Sequence, residues 1–153
     1  MVTPNPKAPL ILSGPSIAAT AVSSFPDPHT SGSVTWKTLI SAPQTASDSL
    51  TVGIATCAPG SAAGCRGDLK PHRHAQAEVY HVVQGRGVIT IDGKGYAVEK
   101  GSVVWIPGDA EHGIVNEGEE ELVWVYVFAV DGFEDIVYRF DKPGAGTRER
   151  AKL

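Results

Sequence analysis

The chain has 153 residues, which at ~100–200 residues per domain is one domain, two at most. Hydrophobic residues make up 42% and charged residues 20%, so the chain can bury a core and is unlike a disordered one. A formal net charge of −4 argues against nucleic acid as a partner, and no run approaches the ~18 apolar residues of a membrane-spanning helix.

In chain order, residues 1–33 form a segment rich in Pro, Ser, Ala and Thr. Seven of the 11 prolines lie before residue 44, and Pro4, Pro6, Pro9 and Pro15 forbid a continuous helix. The segment reads as an extended arm, laid along the body of the protein or on a second copy. From Val34 the pattern changes to short β-rich runs: Val34–Ile40, Leu50–Ala58, Glu78–Val83, Val88–Ile91, Tyr96–Val98, Val103–Ile106, Leu122–Phe128 and Ile136–Phe140. Asp92-Gly93 is a two-residue hairpin signal, because a type I′ turn needs positive φ at both central positions. No window shows convincing helical periodicity. Many short strands separated by glycine-marked turns predict an all-β sandwich or small barrel over residues 34–140. After Phe140, Asp141-Lys142-Pro143-Gly144-Ala145-Gly146 reads as a flexible spacer leading to a tail at 141–153.

The stretch Pro71-His72-Arg73-His74-Ala75-Gln76-Ala77-Glu78 carries most of the chemistry. In a strand, residues two apart share a face, so His72 and His74 point the same way. Glu78 follows across a short break, and His112 lies beyond the turn Pro107-Gly108-Asp109. Three imidazoles and a carboxylate converging inside a barrel suit a first-row divalent ion and can leave positions open for water or substrate. On the strand that Glu78 begins, Tyr80 shares the ligand face and His81 points away. In Leu122–Phe128, Trp124, Tyr126 and Phe128 alternate with three valines, and either set can face inward.

The full spacing is His-x-His, three residues, Glu, six residues, Gly85, and later Gly101, five residues, Pro107, four residues, His112, three residues, Asn116. This pattern resembles the two signature motifs of the cupin superfamily over about Leu50 to Phe128. The resemblance implies a jelly-roll-type conserved β-barrel with His72, His74, Glu78 and His112 as metal ligands. Two departures touch loop shape. Gly67 has four residues between it and His72, and Asp109 stands where the second motif usually has glycine, with Gly108 one position early.

A narrower likeness rests on Trp36-Lys37, Ala58-Pro59-Gly60, Gly67-Asp68-Leu69, the His72-to-Tyr80 stretch, Gly108-to-His112 and the Phe133-to-Tyr138 tail. These are similar to small single-domain cupin lyases that cleave dimethylsulfoniopropionate. That resemblance implies Tyr80 and Tyr138 as catalytic residues. Ser61–Arg66 reads as an insertion before the ligand loop. The chemistry implied is a metal-assisted β-elimination on a small carboxylate. A tyrosinate takes the α-proton, and Trp36, Trp124 or Tyr126 can bind a sulfonium group by cation–π attraction. Iron, zinc, manganese, nickel and copper all suit the ligands. Competing classes are a metal-dependent dioxygenase or oxidase, an isomerase or tailoring cyclase acting on a larger natural product, and a non-enzymatic sensor or storage barrel. A small-molecule substrate and a homodimer are the partners expected.

Cys57 reads as a small buried residue and Cys65 as an exposed one, with a bridge between them possible. The final Ala151-Lys152-Leu153 resembles a peroxisomal address, which has meaning only in a eukaryote.

Overall fold

The computed structural model describes residues 9–60, 65–142 and 145–151. Helix α1 (Gly14–Ala19), strand β1 (Ser23–Ser24) and helix α2 (Pro28–Ser31) come first. There follow β2 (Thr35–Ile40), β3 (Thr51–Cys57), β4 (Asp68–Arg73), β5 (Glu78–Gln84), β6 (Arg86–Ile91), β7 (Lys94–Glu99), β8 (Val103–Ile106), β9 (His112–Asn116) and β10 (Leu122–Phe128). A 3-10 turn at Phe133–Asp135 leads to β11 (Tyr138–Lys142) and β12 (Ala145–Ala151). The strands make two six-stranded antiparallel sheets, ordered β1-β2-β3-β10-β5-β8 and β12-β11-β4-β9-β6-β7. This is an all-β barrel, as the strand spacing anticipates, and of the jelly-roll type that the resemblance implies.

The core lies between the sheets, and alternation along each strand decides what enters it. In β5 the inward set is Glu78, Tyr80 and Val82, while His81 is exposed. In β10 the inward set is Leu122, Trp124, Tyr126 and Phe128, and the three valines are only half-buried. The large aromatic rings therefore fill the interior, which settles the choice that alternation alone left open. Trp105 is the exception among the tryptophans, at 65% exposed on β8. The hairpin between β6 and β7 turns at Asp92 and Gly93, with φ of 46° and 80°, as a type I′ turn requires.

Three features differ from expectation. The arm is not extended throughout: Pro15 and Pro28 sit in the first turns of α1 and α2, where no backbone N–H is needed. Each helix is capped, by Ser13 Oγ accepting from the Ser16 N–H at 3.2 Å and by Asp27 Oδ1 accepting from the His29 N–H at 3.0 Å. The prolines that forbid one long helix thus start two short ones. Second, His112 opens a strand, β9, that is absent from the expected runs. Third, β11 runs on to Lys142, and its partner β12 spans Ala145–Ala151, within the stretch read as spacer and tail. Four of the six residues in the expected insertion, 61–64, lie outside the described residues, as do Lys152 and Leu153 of the address-like tail. Cys57 and Cys65 are both free thiols, the first buried and the second exposed. Burial pushes the Cys57 thiol up to about 12. No helix among the described residues is long and apolar enough to cross a membrane.

Candidate metal centre and adjoining cavity

Three strands, β4, β5 and β9, bring the predicted ligands to one place. His72 pairs with His112 across the β4–β9 ladder, which sets the two rings side by side with centroids 4.2 Å apart. The ladder is irregular between Leu69 and His72. Lys70 and Pro71 are both exposed there, while Leu69 and His72 are both buried. Such a bulge re-aims the next side chain, and Pro71 fits it because proline cannot donate to a ladder. Gly113 makes the close pairing possible, since a Cβ there would meet Leu69 O at 2.7 Å and Pro71 N at 2.9 Å.

His74 follows β4 and Glu78 opens β5. The loop before His112 is tied back to this segment, with the Asp109 N–H donating to His74 O at 2.8 Å and the Asp109 carboxylate paired with Arg139. Asp109 has φ of 60°, the left-handed conformation for which glycine is favoured and aspartate tolerated. Gly108, one position earlier, is needed for another reason: a Cβ there would clash with the Ala75 carbonyl. The departure from the usual motif is thus a division of labour between two residues. Asn116 is buried and holds structure, its Nδ2 donating to Cys57 O at 3.0 Å and Glu120 O at 2.8 Å.

The protonation pattern of the triad follows from its hydrogen bonds. His72 Nδ1 meets Lys70 O, His74 Nδ1 meets Gln76 O, and His112 Nδ1 meets Ala110 O, each at 2.9 Å. A carbonyl only accepts, so each Nδ1 carries a proton, and in the neutral imidazole each Nε2 then presents a lone pair. The ligand atoms of the three histidines lie within 4.8 Å of one another. Glu78 Oε2 lies 3.3 Å from the Nε2 atoms of both His74 and His112. All three Nε2 atoms and Glu78 Oε2 are buried without a hydrogen-bond partner. Buried orphans of this kind cost roughly 1–3 kcal/mol each, and lone pairs facing a carboxylate gain nothing from one another. A divalent cation would satisfy all four at once, and the Nδ1–carbonyl bonds would fix ring orientation as outer partners of metal-bound histidines do. The residues therefore fit a metal. Burial, together with His112 and His74, holds His72 well below the usual imidazole range, so it stays neutral and available as a ligand.

Beside Glu78 lies a cavity walled by Phe25, Trp36, Tyr80, Trp124, Tyr126 and Tyr138, with Phe133, Leu69, Val34 and Ala55 completing it. Both predicted catalytic tyrosines and all three predicted substrate-binding aromatics thus line one space. Tyr80 and Tyr126 are cross-strand partners. Tyr126 closes over Gly53, where no Cβ could fit beneath the phenol, and its hydroxyl meets Thr38 Oγ1 at 3.3 Å. Burial, then the Glu78 charge, pushes the Tyr80 and Tyr138 phenols well above their usual value. Burial raises Tyr126 too, opposed by its bond to Thr38. Glu78 and the three phenols are the only ionisable groups among the described lining residues.

Sequence reasoning misses Phe25 and Phe133. Phe25 is the sole aromatic residue of the arm, and that isolation is the one signal in the sequence that marks it as an anchor.

The chain matches the cupin domain family (Cupin_2) over residues 54–128. It is 43% identical over 111 residues to dimethylsulfoniopropionate lyase DddW of Ruegeria pomeroyi, covering 72% of this chain and 68% of that one. Among solved structures it resembles Rru_A2000 from Rhodospirillum rubrum, a cupin-2 domain, with a TM-score of 0.62 and 21% identity over 94% of this chain and 85% of the other. It also resembles a structure from work on the lyases RdDddP and RnDddQII, with a TM-score of 0.64 and 20% identity over 80% of this chain and 63% of the other. At those identities the structural likenesses speak to fold alone.

Proposed function

The chain belongs to the cupin family, and on that footing we propose that it is a divalent-metal-dependent lyase catalysing β-elimination on a small carboxylate, of the dimethylsulfoniopropionate type. The observation that carries the reading is one cavity in which Glu78 of the ligand set meets two phenols and a wall of aromatic rings. The 43%-identical relative supports the cupin-lyase class.

His72, His74, Glu78 and His112 would hold the ion. When bound, it supplies a Lewis acid for the substrate carboxylate, which otherwise finds no cationic side chain among the described lining residues. Tyr80 or Tyr138, as the phenolate, takes the α-proton. The C–H electron pair becomes the new Cα=Cβ bond, the Cβ–S bond breaks, and a neutral thioether leaves with its electrons. An unsaturated carboxylate remains. A phenol ionises at about pH 10 in water, and here burial and the Glu78 carboxylate favour its neutral form. Neutralising that carboxylate lowers the cost of the phenolate. Trp36, Trp124 and Tyr126 face the sulfonium, where cation–π attraction contributes on the order of 0.5–2 kcal/mol.

The test is a reaction under nitrogen with metal-loaded protein and dimethylsulfoniopropionate. A lyase keeps producing acrylate and dimethyl sulfide without oxygen. A cupin dioxygenase stops, and that outcome removes the proposal.

A further inference from the structure

The cavity beside Glu78 leaves about 20 Å³ for the centre of a water molecule, little more than the ~10–15 Å³ that one water needs. A sulfonium carboxylate does not fit such a space, so at least one wall must yield when substrate binds. Most walls cannot yield cheaply. Trp36, Ala55, Tyr80, Trp124 and Tyr126 all sit on strands paired along both edges.

Phe25 is placed differently. It follows the two-residue strand β1, which pairs with β2 only through Ser23↔Trp36 and Ser24↔Thr35, and it precedes the single turn of α2. The preceding helix is held to the barrel by Lys37 Nζ, which donates to Ile17 O at 3.1 Å and Ala18 O at 2.8 Å. Yet the Phe25 ring is 7% exposed. It lies 4.8 Å from Trp36, 5.2 Å from Tyr138 and 5.2 Å from Phe140, and Tyr138 in turn stacks on the ligand His72. A side chain from outside the matched family region therefore closes the cavity between a proposed cation-binding indole and a proposed catalytic phenol.

We propose that Phe25 is a specificity-determining residue: its ring is the yielding wall of the site and sets how large an alkyl substituent the cavity accepts at the cationic end of the substrate. This rests on the lyase reading for the reaction, though not for the shape of the site. The arm is then part of the substrate site rather than an appendage. A longer alkyl group on the sulfonium must displace the Phe25 ring further than dimethyl substituents do.

The experiment compares wild type with Phe25→Ala and with Phe25→Leu, which keeps an apolar side chain seated should the alanine variant fold poorly. Two series are read on metal-loaded protein. The first is turnover of dimethyl- and diethylsulfoniopropionate. The second is calorimetric binding of trimethyl- and triethylammonioacetate, which have no β-carbon across which to eliminate. The expected result is a rise of at least tenfold in the diethyl-to-dimethyl ratio of kcat/KM for Phe25→Ala, within the range that one pocket methylene commands. A smaller rise is expected for Phe25→Leu, and the binding ratio moves in parallel. Unchanged ratios in the folded variants, with or without a uniform loss of activity, overturn the proposal. Should wild type eliminate neither sulfonium compound while the binding ratio still shifts, the lyase reading falls and the Phe25 wall stands. Turnover by wild type with unshifted ratios leaves the lyase reading standing and removes the Phe25 wall.

Discussion

Tyr138 lies stacked on His72, with ring centroids 4.9 Å apart and planes at 27°. The other tyrosine, Tyr80, approaches His112 edge-on at 6.4 Å. The two phenols thus flank the histidine triad from different sheets, one on β11 and one on β5, with the cavity between them. Both line the cavity beside Glu78.

This geometry separates the base from its neighbour by substitution. Tyr80→Phe and Tyr138→Phe each remove only a hydroxyl and leave all four ligand side chains in place. One of the two is expected to lose elimination by about 10²–10⁴-fold, the usual worth of a positioned general base, with metal content by elemental analysis unchanged. If both variants keep wild-type turnover, the tyrosine base is wrong.

On the proposed function a metal ion binds the native site and no comparable site in the unfolded chain, so it is expected to stabilise by mass action. At an ion concentration of 100 Kd the gain is about 2.7 kcal/mol, or on the order of 5–10 °C in Tm for a chain of this size. Chelation is expected to lower Tm by that amount and to abolish turnover, and re-addition of the ion to restore both. Substituting His112 by alanine removes the chelator effect on Tm.

His72 is expected to contribute a pH dependence to the stability of the metal-free protein. Burial depresses its folded-state value below the ordinary 6.5, so the unfolded chain takes up this proton first as pH falls. Stability from this group is fully present above about pH 6.5 and declines as pH drops below it toward the depressed value. Urea titrations of the chelated protein at pH 7.5 and 5.5 are expected to show the lower midpoint at pH 5.5. His72→Asn is expected to flatten that difference.

Gly53 lies under Tyr126 in the β3–β10 register, and a methyl group there would overlap the phenol. Gly53→Ala must displace the ring or the strand. Overpacking of this kind costs roughly 1–3 kcal/mol, read as a fall in the urea midpoint, and it moves a wall of the substrate cavity at the same time.

The convergence of His72, His74, Glu78 and His112 was legible because its signals are local. A His-x-His pair, a carboxylate at the next strand start, and a Pro/Gly turn before His112 are spacings that survive any uncertainty about the rest of the barrel. The inward face of β10 was not legible from alternation, because Trp124, Tyr126 and Phe128 are as apolar as the three valines between them. Only the volume to be filled opposite β5 decides for the rings. The bulge at Lys70 and Pro71 depends on the β9 partner, so it has no signature within β4 beyond the proline. Phe25 was hidden for a different reason. Its importance comes from long-range contacts with Trp36, Tyr138 and Phe140, while its own surroundings in sequence are those of a loose segment.

The most direct measurement is proton NMR of dimethylsulfoniopropionate with metal-loaded protein under nitrogen, beside the chelated protein and the two tyrosine-to-phenylalanine variants. Vinyl resonances of acrylate are expected to grow with metal-loaded wild type, and not to grow on chelation or with one of the two variants. Acrylate formed equally well by the chelated protein, or by both variants, would contradict a metal-assisted elimination with a tyrosine base.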